Sequence, residues 1–121
     1  MARYAKDKRL SRRTRVGLPA SARVQGWIKK KQTLVGRTVD LGLSGLKLRL
    51  EGRAGIRTGD AVDIRVIGPE VNQTVNLEGE VRWAEPDLRE GAELRVGVRL
   101  TNLSLADYNQ WVNLLYSYLD E

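Results

Sequence analysis

Hydrophobic and polar residues alternate with period two along most of this chain. Ala22, Val24, Gly26 and Ile28 alternate with Arg23, Gln25 and Trp27, and Leu46, Leu48 and Leu50 with Lys47 and Arg49. Val62, Ile64 and Val66 alternate with Asp63 and Arg65. Leu77, Gly79, Val81 and Trp83 alternate with Glu78, Glu80 and Arg82, and Leu94, Val96, Val98 and Leu100 with Arg95, Gly97 and Arg99. Alternation of this kind sets one row of side chains against a core and the other in water, so each run predicts a strand. Residues 34–39 add another candidate. Turn formers separate the runs at Gly42–Gly45, 51–59, Gly68-Pro69, Pro86-Asp87 and Glu90-Gly91. About six short strands with regular turns, and no strand–helix–strand rhythm, predict a small barrel or sandwich and not a doubly wound sheet.

The period changes near the C-terminus. Leu105, Tyr108, Trp111, Val112, Leu115 and Leu119 fall three or four apart, which predicts one face of a helix over 104–119. Ser104 is placed to cap it, with Asp107 at the acidic position of a capping box and Leu103 and Tyr108 at the two positions of a hydrophobic staple. The apolar stripe is expected to pack on the strands.

A length of 121 residues suits one compact domain. Nothing approaches the run of about 20 apolar residues that spans a bilayer, and no signal-peptide pattern opens the chain. A soluble domain facing the cytosol is expected, either free or as a piece of a larger membrane protein. The chain has no Cys and no His. Disulfides, thiol nucleophiles and imidazole bases are thereby excluded, and nearly all zinc and iron sites with them. No metal cofactor is expected, and an enzyme is the least supported class.

Charge is unevenly placed. Residues 1–15 carry seven bases and one acid, so they account for the whole net charge of +6. Residues 1–19 therefore predict a basic arm for a phosphate-bearing partner, ahead of a folded domain over 20–121. Arginine meets phosphate oxygens with a planar fork of donors and stacks on flat rings. Arg9 and Arg13, four apart, would point the same way on a helical or tight turn, with Lys8 and Arg12 beside them. A basic terminus taken alone is more often a solvated tail.

The second candidate is the turn Asp40-Leu41-Gly42-Leu43-Ser44-Gly45. Its glycines allow a close approach to the backbone. Asp40 can accept from the N–H pair of a guanine edge, fix an arginine, or, with Ser44, cap backbone donors as in an ordinary hairpin.

Together these two segments resemble the PilZ family, whose R-x-x-x-R element is followed by [D/N]-x-S-x-x-G. Arg9-Leu-Ser-Arg-Arg13 matches the first, and Asp40-Leu-Gly42-Leu-Ser-Gly45 the second, with Gly42 where the family usually has Ser. Val81-Arg82-Trp83 and Val96-Gly97-Val98-Arg99-Leu100 resemble the family's late strands. Thr101-Asn102-Leu103-Ser104-Leu105 is most similar to the PilZ domain of bacterial cellulose synthase catalytic subunits. The resemblance implies a mainly β fold: an antiparallel six-stranded barrel with a flexible basic arm and a C-terminal α-helix. It implies a regulatory module that binds cyclic di-GMP, often as an intercalated dimer, at the cytoplasmic side of an inner-membrane protein. Arg9 and Arg13 would hold phosphates and stack on guanine, with Lys8 and Arg12 as further phosphate contacts. Asp40 would read a guanine edge, and Gly45 would leave room for the ligand. The contact of the hydroxyl missing at Gly42 falls to Ser44 or to a backbone N–H. The arm is expected to be mobile without ligand. The implied partner is a glycosyltransferase domain of the same polypeptide, with neither nucleic acid nor membrane insertion expected. Two alternatives stay open. One is an adaptor of the same fold that binds no nucleotide, favoured by Gly42. The other is a single-stranded nucleic-acid barrel with Trp27 and Trp83 as stacking platforms, although charge beyond the arm is balanced and such Trp residues more often pack.

Overall fold

A computed structural model describes residues 13–25, 31–52, 55–70, 73–87 and 93–118. Its strands are β1 (Thr14–Arg15), β2 (Pro19–Gln25), β3 (Lys31–Leu41), β4 (Gly45–Glu51), β5 (Ala61–Ile67), β6 (Thr74–Asp87) and β7 (Glu93–Leu100), followed by the helix α1 (Leu105–Tyr116). The strands pair in the order β1-β3-β2-β5-β6-β7-β4, and β4 returns to β3. All pairings are antiparallel. The result is the closed six-stranded barrel that was expected, with β1 as a strand beyond that expectation.

The alternation reads out directly in β4 and β5. Leu46, Leu48, Leu50, Val62, Ile64 and Val66 fill the interior, and Asp63 and Arg65 stay outside. Closure gives each of β2 to β7 a neighbour on both sides, and the long strands pass from one partner to the next along their length, β3 from β2 to β4 and β6 from β5 to β7. The core also takes Trp111, Val112, Leu114 and Leu115 from α1.

Two register shifts modify the simple pattern. In β3, Thr38 pairs with Leu48 and Asp40 with Lys47, so Val39 is an extra residue. In β6, Val81 pairs with Val98 and Trp83 with Gly97, so Arg82 is extra. A bulge reverses the inside–outside alternation beyond it. Thr38 and Leu41 are thus both buried, with Asp40 on the outer row beside Lys47. Trp83, aligned by sequence with the core-facing set, stands on the outer surface for the same reason, 36% exposed.

Two other expectations change. Pro86-Asp87, read as a turn, forms the last two residues of β6. Leu105, read as part of the buried helix stripe, is 63% exposed. At about 100° per residue, the stripe centred on Trp111, Val112, Leu114 and Leu115 lies about a quarter-turn from Leu105. Of the arm expected over 1–19, residues 1–12 lie outside the described residues, and β1 within the remainder pairs with the end of β3. Thr14 pairs with Leu41 and Arg15 with Asp40. The buried Thr38 hydroxyl holds the loop between β1 and β2: it accepts from Leu18 N–H at 2.9 Å and donates to the Val16 carbonyl. Thr38 N–H donates to the Leu18 carbonyl at 2.9 Å.

Helix α1 ends at Tyr116 and starts at the predicted cap, where Ser104 Oγ accepts from Asp107 N–H at 3.0 Å. Among the described residues, no helix is long and apolar enough to cross a membrane.

Candidate functional site

The turn joining β3 to β4 is held from three sides. Gly42 N–H donates to the Gly45 carbonyl at 2.9 Å, closing the turn. Leu100 N–H donates to the Ser44 carbonyl at 2.9 Å, tying it to the end of β7. The fully buried Trp111 donates its indole N–H to the Gly42 carbonyl at 3.0 Å, tying it to α1. Both polar groups of that last contact find a partner out of water, which makes the helix a rigid backing for the turn.

On this turn the structure brings together Arg13, Asp40, Gly42, Ser44 and Gly45. Arg13 Nη1 donates to the Gly45 carbonyl at 3.0 Å, and its Nε lies 3.1 Å from Asp40 Oδ1. Lys47 Nζ approaches Asp40 Oδ2 at 3.7 Å. Asp40 is 9% exposed, whereas the Arg13 side chain is 50% exposed. Asp40 Oδ1 has a cation beside it but no aligned hydrogen bond. Arg15 is its register partner across β1 and β3 and is exposed. A buried carboxylate acceptor thus sits among Arg13, Arg15 and Lys47, a local excess of positive charge. Lys8, Arg9 and Arg12 lie outside the described residues, as does Trp27.

The two glycines differ in what they do. A Cβ on Gly45 would come 2.4 Å from the Val98 carbonyl oxygen, so β4 and β7 can approach here only with glycine. That requirement is internal to the barrel, a role the sequence did not suggest. A Cβ on Gly42 would stand 3.0 Å from Arg13 Nη1 and 3.1 Å from its Cδ. Glycine in place of serine therefore lets Arg13 lie back across the turn.

Sequence reading missed Lys47. Its position opposite Asp40 follows from the bulge at Val39, which no local pattern announces. It also missed the bond from Trp111, since a helix stripe predicts burial but not the direction of one N–H. The chemistry on offer is recognition. Arginine and lysine donors suit phosphate oxygens, and the carboxylate suits a paired N–H edge. Among the described residues, no group of three His, Cys, Asp or Glu side chains could hold a metal.

Comparison with known proteins agrees with this layout. The PilZ domain family model matches residues 7–117. Three similar structures each align with 88% of this chain. The Bacillus subtilis inhibitor of motility MotI/DgrA is 14% identical with a TM-score of 0.65, and the chain spans 46% of its length. The PilZ domain of Escherichia coli YcgR, solved with c-di-GMP, is 19% identical with a TM-score of 0.65 and 88% spanned. The PilZ domain of CeSA from a cellulose-synthesizing bacterium is 18% identical with a TM-score of 0.64 and 97% spanned. At these identities the likeness establishes the fold. No curated protein matches the chain.

Proposed function

Because this chain belongs to the PilZ domain family, we propose that it is a regulatory module that binds cyclic di-GMP through the Arg13–Asp40 turn. One observation carries the reading: among the described residues, the buried carboxylate of Asp40 lies under the half-exposed side chain of Arg13, with Lys47 at its second oxygen, on a turn fixed by β7 and α1. Arg13 has five donors and a planar face. Swinging outward, it gives its fork to a phosphate and opens Asp40 Oδ1 to the N1–H and N2–H of guanine. Arg9, with Lys8 and Arg12, adds phosphate contacts from the arm. Ligand favours the docked arm to the extent that it binds that state more tightly. The similar YcgR domain was solved with c-di-GMP, which supports this choice of ligand.

The finer reading is that the module is the sensor of a cellulose synthase, facing the cytoplasm and controlling a glycosyltransferase domain of the same polypeptide. The near-complete span of the CeSA domain supports it.

Isothermal titration of cyclic di-GMP into this chain tests the ligand. Saturable heat is expected, with loss of binding in D40A and in the double variant R9A/R13A. A folded chain that gives no heat refutes the reading and favours the adaptor alternative. Steep salt dependence with indifference to D40A favours single-stranded nucleic acid. The host is tested by adding cyclic di-GMP to the full-length protein with UDP-glucose: activation that R13A abolishes is expected, and undiminished activation of R13A counts against it.

A further inference from the structure

We propose that a groove on the far side of the barrel docks an extended segment of a partner protein, one that carries an acidic and a basic side chain two residues apart; the proposal does not rest on the nucleotide reading above. In the closed strand order β5 stands opposite β4, so the face centred on β5 is turned away from the Asp40 turn. Register aligns Thr33, Arg23, Asp63 and Glu78 in one outer row over β3, β2, β5 and β6. The row beside it runs through Val35, Ser21, Arg65 and Asn76. A wall stands along β6. Thr101 N–H donates to the Glu78 carbonyl at 2.8 Å, and Asn102, in the left-handed region at φ 48°, turns the chain out of the line of β7. Leu103 and Asp107 continue the wall into α1. Sheet and wall bound a groove of about 450 Å³, within the size range of binding sites.

Arg23, Asp63, Arg65, Glu78 and Asp107 all line this groove. Among the described residues none of the five closes an ion pair, although Arg23 faces Asp63 directly across β2 and β5. On the other side of the barrel Arg13 and Lys47 pair with Asp40, Arg49 with Glu93 and Arg95 with Glu85. Asp63 and Glu78 are moreover opposed across β5 and β6, and like charges directly opposite destabilise a sheet. An ordinary solvated face explains exposed charge. It does not explain two carboxylates set against each other with a third, Asp107, lining the same hollow. A cation seated between them does. The groove also has a direction: carboxylates gather toward β6 and α1, arginines toward β2 and β5. A lysine or arginine of the docked segment fits the first end, and an aspartate or glutamate the second. Arg23 and Glu78 lie two strands apart, about 10 Å at the usual strand spacing. Side chains two residues apart on an extended segment start about 7 Å apart and reach both ends by splaying outward. Exposed apolar residues flank the groove, as suits a polypeptide more than a small ion. Val35 on β3 is 55% exposed, Ile67 on β5 is 45% exposed, and Leu105 falls between Leu103 and Asp107 in the chain.

The test is an amide NMR titration of the nitrogen-labelled chain, without cyclic di-GMP, using the capped peptide Ala-Glu-Val-Lys-Ala and its neutral counterpart Ala-Gln-Val-Gln-Ala. At millimolar concentration the charged peptide is expected to give saturable shifts on β2, β5 and residues 101–107, and the neutral one none. D63N/E78Q is expected to weaken binding about fivefold or more. Its Tm should equal or exceed that of the parent, because the variant relieves opposed charges. No shifts on that face, or equal shifts with both peptides, overturn the docking site. A lower Tm in D63N/E78Q overturns it as well, because the carboxylates then serve the fold and not a docked cation.

Discussion

Replacing Thr38 with valine isolates the hydrogen bonds that seat the arm, because the two side chains have nearly the same shape. Thr38 is 3% exposed. Its hydroxyl accepts from Leu18 N–H and donates to the Val16 carbonyl. Valine leaves both backbone groups without that partner. A buried donor or acceptor left unpaired costs about 1–3 kcal/mol. Leu18 is buried and takes the full penalty, whereas half-buried Val16 recovers part of it from water. The added methyl returns somewhat under about 1 kcal/mol. The net expectation is a loss of about 1–3 kcal/mol. For a domain of this size that lowers Tm by roughly 3–6 °C per kcal/mol, and urea denaturation shows an earlier midpoint with an unchanged slope. The same bonds fix the chain three residues after Arg13, so cyclic di-GMP binding should weaken several-fold in T38V while the barrel stays folded at 25 °C. A stability change below about 0.5 kcal/mol would refute the claim that Thr38 holds the arm to β3. A full stability loss with parent-like ligand affinity would separate the Thr38 bonds from the placement of Arg13.

Three further outcomes are expected. W111F removes the indole N–H that pairs with the Gly42 carbonyl and shrinks a fully buried ring, so denaturation followed by far-UV circular dichroism should show a loss of about 2–4 kcal/mol; an unchanged midpoint would contradict the backing role of α1. G45A forces a Cβ against the Val98 carbonyl and should destabilise by about 1–3 kcal/mol in the same assay, whether or not ligand is present. G42S crowds Arg13 off the turn, so calorimetry should give tighter cyclic di-GMP binding at little change in stability; equal or weaker binding would mean that the resting position of Arg13 does not compete with ligand.

What the sequence could and could not convey depends on the range of the forces involved. In β4 and β5, burial of every second residue is a local property of the extended chain, so the core positions of Leu46, Leu48, Leu50, Val62, Ile64 and Val66 were readable from their spacing. The Ser104 cap was readable for the same reason: donor and acceptor lie three residues apart. The turn carrying Asp40 was visible through its glycines, although the need for Gly45 comes from Val98 on another strand. Arg13 was picked out by charge, whereas its bond to Gly45 spans 32 residues and depends on β1 pairing with the end of β3. Lys47 and Trp83 were hidden more deeply. A bulge is one extra residue whose position is set by which two strands must match, and period-two counting steps over it unchanged. The count carried Trp83 onto the core face, where Val81 already meets Val98. Only the pairing of β6 with β7 moves the ring outside and brings it into line with Asp40. Residues legible one at a time thus belong to the interior, and the outer row from Thr33 through Arg23 and Asp63 to Glu78 exists only once four strands are in register. That is the physical reason a recognition surface on a barrel is harder to read than its core: the core needs each strand to have a face, whereas the surface needs the faces to meet.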